Sequence, residues 1–227
     1  MKEQPHRKLI QTDDGSSSIY NEALNETYHS THGAIQESRH VFLKSGLEHC
    51  GARPANILEI GFGTGLNVLL TMEYAIRNEI PVRMVTLESE PLDANLVNNL
   101  NYTSQVDDQR AAEWFRWIHE QDWQGNHTYN EYFQLKKINT DWLRFDPGNA
   151  VFNIIYYDAF APSKQPGMWT LECIKKACAS LHDGGLFVTY SARGQLKRDL
   201  SSSGMKVESL PGPPGKKEMV RAVKQET

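Results

Sequence analysis

An open, mostly parallel α/β sheet flanked by helices is the fold this sequence predicts, and three stretches predict it. NILEI (56–60) runs apolar into glycines 61, 63 and 65 and then into apolar residues at helical spacing, the pattern of a strand, a tight loop and a helix. VFNIIYYDAF (151–160) is so continuously apolar that it belongs inside a sheet covered on both faces. MKVESL and KEMVRAVK, joined by a PGPPG turn, form a hairpin that ends the sheet with an antiparallel C-terminal strand.

Taken in order, the helix after the glycine loop carries Leu66, Leu69, Leu70, Tyr74 and Ala75 on its apolar face. RMVTLE (83–88) is the second strand, and Pro91 is placed to start a helix through LDANLVNNL. YFQLKKI (132–138) is the third strand and 151–160 the fourth. MWTLECIKKACASLHDGG has helical periodicity with a stop at Gly184 and Gly185, before the fifth strand LFVTYS (186–191). A helix over 194–202 leads into the hairpin, which brings the sheet to seven strands. Residues 1–50 are expected to cover the active site as part of the same domain as 51–227. A sheet of this kind takes its ligand at the carboxyl ends of its strands.

Composition bounds the function. The 227 residues, 39% of them hydrophobic, suffice for one sizeable core. No long apolar run occurs and MKEQPHRKLI lacks an apolar leader region, which predicts a soluble, cytoplasmic protein. Cys173 and Cys178 are five apart, neither a metal knuckle nor a redox pair, so reduced thiols are expected, one of them buried. His29, His32 and His40 are not at metal-ligand spacing, and no catalytic metal is expected. The net charge of −4 argues against a protein that coats nucleic acid unspecifically. Residues 191–227, however, carry eight basic residues against four acids. That excess is either a solvated face or a set of phosphate contacts.

The glycine loop carries the chemistry. Glycines at 61, 63 and 65 let the backbone turn tightly and approach a ligand closely, and the next helix presents free N–H groups. The nicotinamide fingerprint needs a third glycine where Leu66 stands, and a phosphate loop needs Lys-Ser/Thr where Asn67 and Val68 stand. Glu59 would repel a pyrophosphate but accept a hydrogen bond from a cationic amine, which favours a nucleoside carrying an ammonium, S-adenosyl-L-methionine being the common one. Glu88, at the end of the second strand, suits the two ribose hydroxyls. Asp141 is placed to accept from an adenine amino group or to cap a turn, with Trp142 as a flat apolar wall. Asp158 ends the fourth strand, where a reacting methyl would lie. Tyr28, His29, Ser30 and Glu37 belong to the N-terminal cover. Tyr156, Tyr157, Phe160 and Trp169 are walls for an unstacked base or ordinary core residues.

LEIGFGTGLN, ESEPL, YDAFAPSKQPGMWT, TYSARGQLKRDLSSSGMKV and GKKEMV, with TDDGSSSIYN and YHSTHGAIQESRHVFL near the start, resemble the motifs of one family. It is the methyltransferase domain of the bifunctional tRNA 5-methylaminomethyl-2-thiouridine biosynthesis protein, MnmC. The resemblance implies a Rossmann-like class I S-adenosyl-L-methionine-dependent methyltransferase that converts aminomethyl to methylaminomethyl at carbon 5 of the wobble uridine, in the anticodon region of tRNA. It implies cofactor contacts at Glu59, Gly61, Phe62, Gly63, Thr64, Gly65, Asn67, Glu88, Asp141, Trp142 and Phe160, with Asp158 at both the cofactor and the reaction centre. Lys164, Arg193, Lys197, Arg198, Lys216 and Lys217 become expected tRNA contacts, with Tyr28, Glu37 and Trp169 near the substrate. The chain departs from the family pattern at Ala159, Gln165 and Pro214-Gly215. Its length leaves no room for the flavin-dependent half, so a separate oxidoreductase is expected to supply the aminomethyl group. Methylation of a small-molecule amine, and non-catalytic binding of S-adenosyl-L-methionine, are the competing readings.

Overall fold

The computed structural model describes residues 7–226. Residues 1–6, part of the stretch in which a leader was sought, lie outside the described residues. The chain opens with β1 (Arg7–Gln11), β2 (Ser17–Asn21) and β3 (Glu26–Thr27), a small antiparallel sheet. α1 (Ala34–Ser38) follows and continues into wider π-type turns over Arg39–Lys44. Neither the small sheet nor these turns was expected from the sequence, because strands this short carry too few residues to show a period.

The main sheet begins with β4 (Ala55–Ile60), followed by α2 (Leu66–Arg77), β5 (Val82–Glu88) and α3 (Ala94–Asn98). α4 (Ala111–Glu120), β6 (Asn126–Asn130), β7 (Phe133–Asn139) and β8 (Phe152–Tyr157) come next. α5 (Leu171–Ser180), β9 (Leu181–Thr189), α6 (Gly194–Ser202), β10 (Met205–Pro211) and β11 (Glu218–Lys224) complete the chain. Eight strands stand in the order β10-β11-β9-β8-β4-β5-β7-β6. β7, β5, β4, β8 and β9 pair in parallel, and β11 is inserted antiparallel between β9 and β10. The expected seven strands are all present, and the eighth is β6. It is antiparallel to β7 at the edge and has no buried face, so its polar NHTYN lacks the apolar alternation that marks a half-buried strand.

Two other boundaries moved. The helix expected to stop at Gly184 ends at Ser180, because Leu181 is fully buried and pairs with Phe152 of β8; the two glycines lie within β9 beside a shift of register. Pro91 does not start α3, whose N-cap is Asp93, its carboxylate accepting from the Leu96 N–H at 2.9 Å.

Period-two alternation splits the core between the two faces of the sheet. Ile57, Met84, Ile154, Tyr156 and Val188 face α2, α4 and the N-terminal segment, with Phe42 against Tyr156 at 5.1 Å between ring centroids. Leu58, Ile60, Ile155, Tyr157 and Phe187 face α5 and α6. Ile19, Ala34 and Val41 belong to the first of these clusters, so the described residues before position 50 share the apolar core of the sheet. All three cysteines are free and buried, where one was expected. No helix among the described residues is long and apolar enough to cross a membrane.

Lys137, on β7, is 1% exposed, and its Nζ donates to the carbonyls of Ile118, His119 and Gln121 at 3.0, 3.3 and 2.8 Å. It satisfies the open C-terminus of α4 from inside the core, and burial lowers its pKa to about 8. Replacing it by the near-isosteric Met orphans those carbonyls. Lys137→Met is expected to lose roughly 1–3 kcal/mol per orphaned group in urea unfolding; an unchanged midpoint would show that the cap contributes nothing.

Candidate active site

A cleft of about 910 Å³ opens over the carboxyl ends of the central strands, lined among others by Ile60, Gly61, Leu87, Glu88, Thr140 and Asp158. This is where the crossovers from β4 run to one side of the sheet and those from β8 to the other, the usual ligand position in such folds. The glycine loop forms one wall. Gly61, Gly63 and Gly65 have φ of 101°, 53° and 76°, all in the region that disfavours side chains. A Cβ on Gly61 would stand 2.6 Å from the Asp158 carbonyl oxygen, and one on Gly63 would stand 3.1 Å from the Tyr28 ring. α2 then begins with no side-chain cap, leaving backbone N–H groups at its start to a ligand or water.

Glu88 lies in the cleft wall, its carboxylate accepting from the N–H groups of Gly63 and Glu90, both at 2.9 Å. It therefore holds the loop as well as facing the ligand space. Asp141 lines the cleft and at the same time caps a turn, accepting from the Leu143 N–H at 2.9 Å. Trp142 is in the wall though only 2% exposed, with Lys176 Nζ 4.0 Å above its ring. Phe62 and Phe160 also line the space.

Four residues expected to touch a cofactor do not line the cleft, among them Gly65, where a Cβ would meet His119 and the Phe62 ring at 2.9 Å. Glu59 is 0% exposed beneath the loop, its carboxylate accepting from the Thr86 hydroxyl, because its position in β4 turns the side chain into the core beside α2. Thr64 is buried and accepts from the Tyr102 hydroxyl at 3.1 Å. Asn67 is buried in the first turn of α2, where its Nδ2 donates to Asp158 Oδ2 at 2.8 Å.

Asp158 itself is in the lining. Burial, reinforced by the nearby Glu37 carboxylate, raises its pKa to about 7, against the opposing pull of the Asn67 hydrogen bond and Lys216. Above it, the N-terminal segment supplies Tyr28, His29, Ser30 and Glu37. Tyr28 meets Phe160 edge-on at 5.0 Å. Glu37 accepts from the Ser30 N–H at 3.0 Å and pairs with Lys216, whose Nζ sits 4.0 Å from the centre of the Tyr190 ring. His29 is held neutral, its pKa lowered to about 4 by burial.

The sequence reading missed Tyr190, whose hydroxyl donates to the Ala159 carbonyl at 2.9 Å, and Arg7, which lines the cleft and pairs with Glu90 at 3.0 Å. The signal for Tyr190 was its place at the end of the fifth strand; Arg7 lies in a strand too short to detect. Tyr156 and Tyr157 are fully buried core residues, not base walls. Trp169 is also core, its indole N–H donating to the Phe160 carbonyl at 2.8 Å, so it positions that ring from behind.

Of the six basic residues expected to contact tRNA, Lys216 alone lines the cleft. Lys197 is paired with Glu218 at 2.8 Å, and Arg198 donates to Gln195 at 2.8 Å. Arg193 and Lys217 are exposed, and Lys164 is half-buried in the loop after Asp158.

A cleft this size suits a nucleoside-sized ligand. The side-chain-free loop leaves room for close backbone approach, and the acids Glu88, Asp141 and Asp158 suit a ligand with hydroxyls, an amino group and a positive charge. The residues present therefore fit S-adenosyl-L-methionine. Comparison with known proteins agrees. The sequence model of an S-adenosyl-L-methionine-dependent methyltransferase family matches residues 106–225. The tRNA 5-methylaminomethyl-2-thiouridine biosynthesis bifunctional protein MnmC of Burkholderia multivorans is 28% identical over 92% of this chain and 33% of its own length. The protein of that name from Leptospira interrogans is 28% identical over 88% of this chain and 32% of its own length. The chain thus spans about a third of the length of these curated relatives. The crystal structure of MNMC2 from Aquifex aeolicus shares the fold, with a TM-score of 0.79 at 24% identity over 100% of this chain and 72% of that one. The chain belongs to the S-adenosyl-L-methionine-dependent methyltransferase family, and S-adenosyl-L-methionine is its cofactor.

Proposed function

We propose that this methyltransferase acts on tRNA, methylating the primary amine of an aminomethyl group at carbon 5 of the wobble uridine, on the 2-thiolated base or its oxygen counterpart. The observation that carries the reading is Asp158, a carboxylate with its pKa raised to about 7, in a cleft between the glycine loop and the Glu37–Lys216 pair. The relatives' printed role in tRNA 5-methylaminomethyl-2-thiouridine biosynthesis supports the substrate class. Glu88, Asp141, Trp142, Phe62 and the backbone of Gly61 and Gly63 would hold the cofactor, which supplies a methyl group already activated on sulfur.

The remaining work falls to the chain. An ammonium has no lone pair, so the amine must be neutral when it attacks. Asp158 is placed to orient the nitrogen and to take its proton, and a carboxylate titrating near 7 does this better than one at its ordinary value. Tyr28 and Phe160 exclude water from the site, and holding the nitrogen in line is worth up to roughly 7–11 kcal/mol in favourable cases. The aminomethyl group would come from a separate oxidoreductase step.

The deciding experiment transfers labelled methyl to tRNA carrying unfinished aminomethyl-uridine, with digestion and mass identification of the nucleosides. A methylaminomethyl-uridine peak supports the reading; cofactor binding with no labelled nucleoside sinks it. A second reading, methylation of a small-molecule amine, is favoured by the internal pairing of Lys197 and Lys216, which removes two expected phosphate contacts. Salt separates the two. With Arg193, Arg198 and Lys217 contacting phosphates, log affinity for tRNA falls against log salt with a slope of about −0.7 to −0.9 per contact, and Arg193→Ala with Lys217→Ala flattens it by roughly two contacts' worth. A slope near zero in the unaltered protein would favour the small amine.

A further inference from the structure

Beneath the glycine loop, four polar side chains form a network whose hydrogen bonds do not close if both its carboxyl groups are ionised. Glu59 Oε2 accepts from the Thr86 hydroxyl, and both residues are 0% exposed. Asn67 Nδ2 donates to Asp158 Oδ2 at 2.8 Å. That leaves Glu59 Oε1 and Asn67 Oδ1, two buried acceptors, each without a donor, on side chains within hydrogen-bonding reach of one another. Two buried acceptors without donors, one on a carboxylate stripped of water, are costly. A single proton between them removes both deficits.

We propose that Glu59 carries a proton at neutral pH and donates it to Asn67 Oδ1, which makes Glu59 the positioning residue for Asp158. The donors then run one way, from Thr86 to Glu59 to Asn67 to Asp158. As the amide stands, its nitrogen is on Asp158 and its oxygen has no donor, so a proton on Glu59 completes it. Flipping the amide would hand Nδ2 to Glu59 and present Oδ1 to Asp158, which would then have to hold the proton. The deeper group keeps it. Glu59 is wholly enclosed, faced by Asp158 and Tyr156 from β8 and its end, Glu88 and Thr86 from β5, and Asn67 from α2, with no cation among them. Asp158 opens on the cleft and has Lys216 in range to favour its anion, against Glu37 and the ring of Tyr190. Burial, reinforced by the Asp158 and Glu88 carboxylates, raises the Glu59 pKa well above the ordinary carboxyl value, against the opposing pull of the Thr86 and Asn67 hydrogen bonds. The inference rests on the reading of Asp158 as the acid at the reacting nitrogen.

Infrared spectroscopy of the protein labelled with 13C-glutamate tests the proton directly. A protonated carboxyl stretch that persists at about pH 8 and disappears in Glu59→Gln is the expected result; a wild-type spectrum with carboxylate bands alone overturns the proposal. The pH profile of methyl transfer gives a second readout. Glu59→Gln keeps a donor toward Asn67 and adds no charge change, so the acid limb stays at the wild-type pH. An ionised Glu59 would instead make this substitution move the limb to lower pH, by removing an anion beside Asp158. Glu59→Leu frees the amide to flip and is expected to be at least tenfold slower than Glu59→Gln; equal rates would reduce Glu59 to a packing residue. Should the Leu variant fail to fold, the spectrum and the Gln profile still decide. Because the spectrum needs no substrate, it can succeed while tRNA methylation fails, which keeps the two readings apart.

Discussion

Asp158→Ala is expected to slow methyl transfer by two to four orders of magnitude while cofactor affinity stays near wild type, since positioned acid–base groups contribute on that scale. Parallel calorimetry and single-turnover assays check it; equal loss of binding and rate would make Asp158 a cofactor ligand instead. The pH dependence follows from its environment. With the pKa raised to about 7, the ionised form needed to accept a proton is half-populated there, so the rate climbs through neutrality and levels above it. Stability runs the other way. A carboxyl group raised on folding binds its proton more tightly in the native state, so its contribution is fully present below the unfolded value of 3.8 and is lost as pH rises through about 7. The loss is at most about 4 kcal/mol. Asp158→Asn, permanently neutral, is therefore expected to melt above wild type in alkaline buffer and to converge with it toward pH 4. Parallel melting curves at all pH values would contradict the raised pKa.

Gly61→Ala is expected to damage cofactor binding and stability together. The added carbon would stand 2.6 Å from the Asp158 carbonyl oxygen, a backbone atom, at a φ of 101° that alanine adopts only at a cost of roughly 1–3 kcal/mol. Relief requires the loop and the end of β8 to separate, which displaces the cofactor wall and the acid together. Cofactor affinity is expected to fall at least tenfold, with a lower melting temperature. Gly51→Ala is the control, because a Cβ there meets nothing within 4 Å and φ is ordinary. If the two variants bind and melt alike, close packing of the loop on β8 is not what shapes the site.

The residues that could be read in advance are those whose role is set by local covalent geometry or by a simple period. The glycines of the loop were legible because a left-handed φ leaves few alternatives. VFNIIYY was legible because only a strand covered on both faces tolerates so continuous an apolar run, and Tyr157 duly turns to one side of the sheet while Tyr156 turns to the other. Asp158 stood out as a charge at the end of that run. β6 and β1 escaped because they bury too little of themselves to impose a pattern, and β2 because most of the residues it buries in SSIYN are polar.

Function-bearing contacts between distant segments could not be read this way. Nothing local to Glu37 and Lys216 announces that they pair, 179 positions apart, over the cleft. Nor does a Glu before a glycine loop disclose whether its side chain faces the ligand or the core; the pleat of β4 turned Glu59 inward, onto Thr86 and beside Asn67. The sequence alone was enough for the sheet, the loop and the class of ligand, because these follow from backbone conformation and hydrophobic period. Which carboxyl group opens on the cleft, which is shut away beneath the loop, and which lysines are consumed in internal ion pairs were decided by tertiary packing, since burial and charge neighbours exist only once the chain has closed on itself.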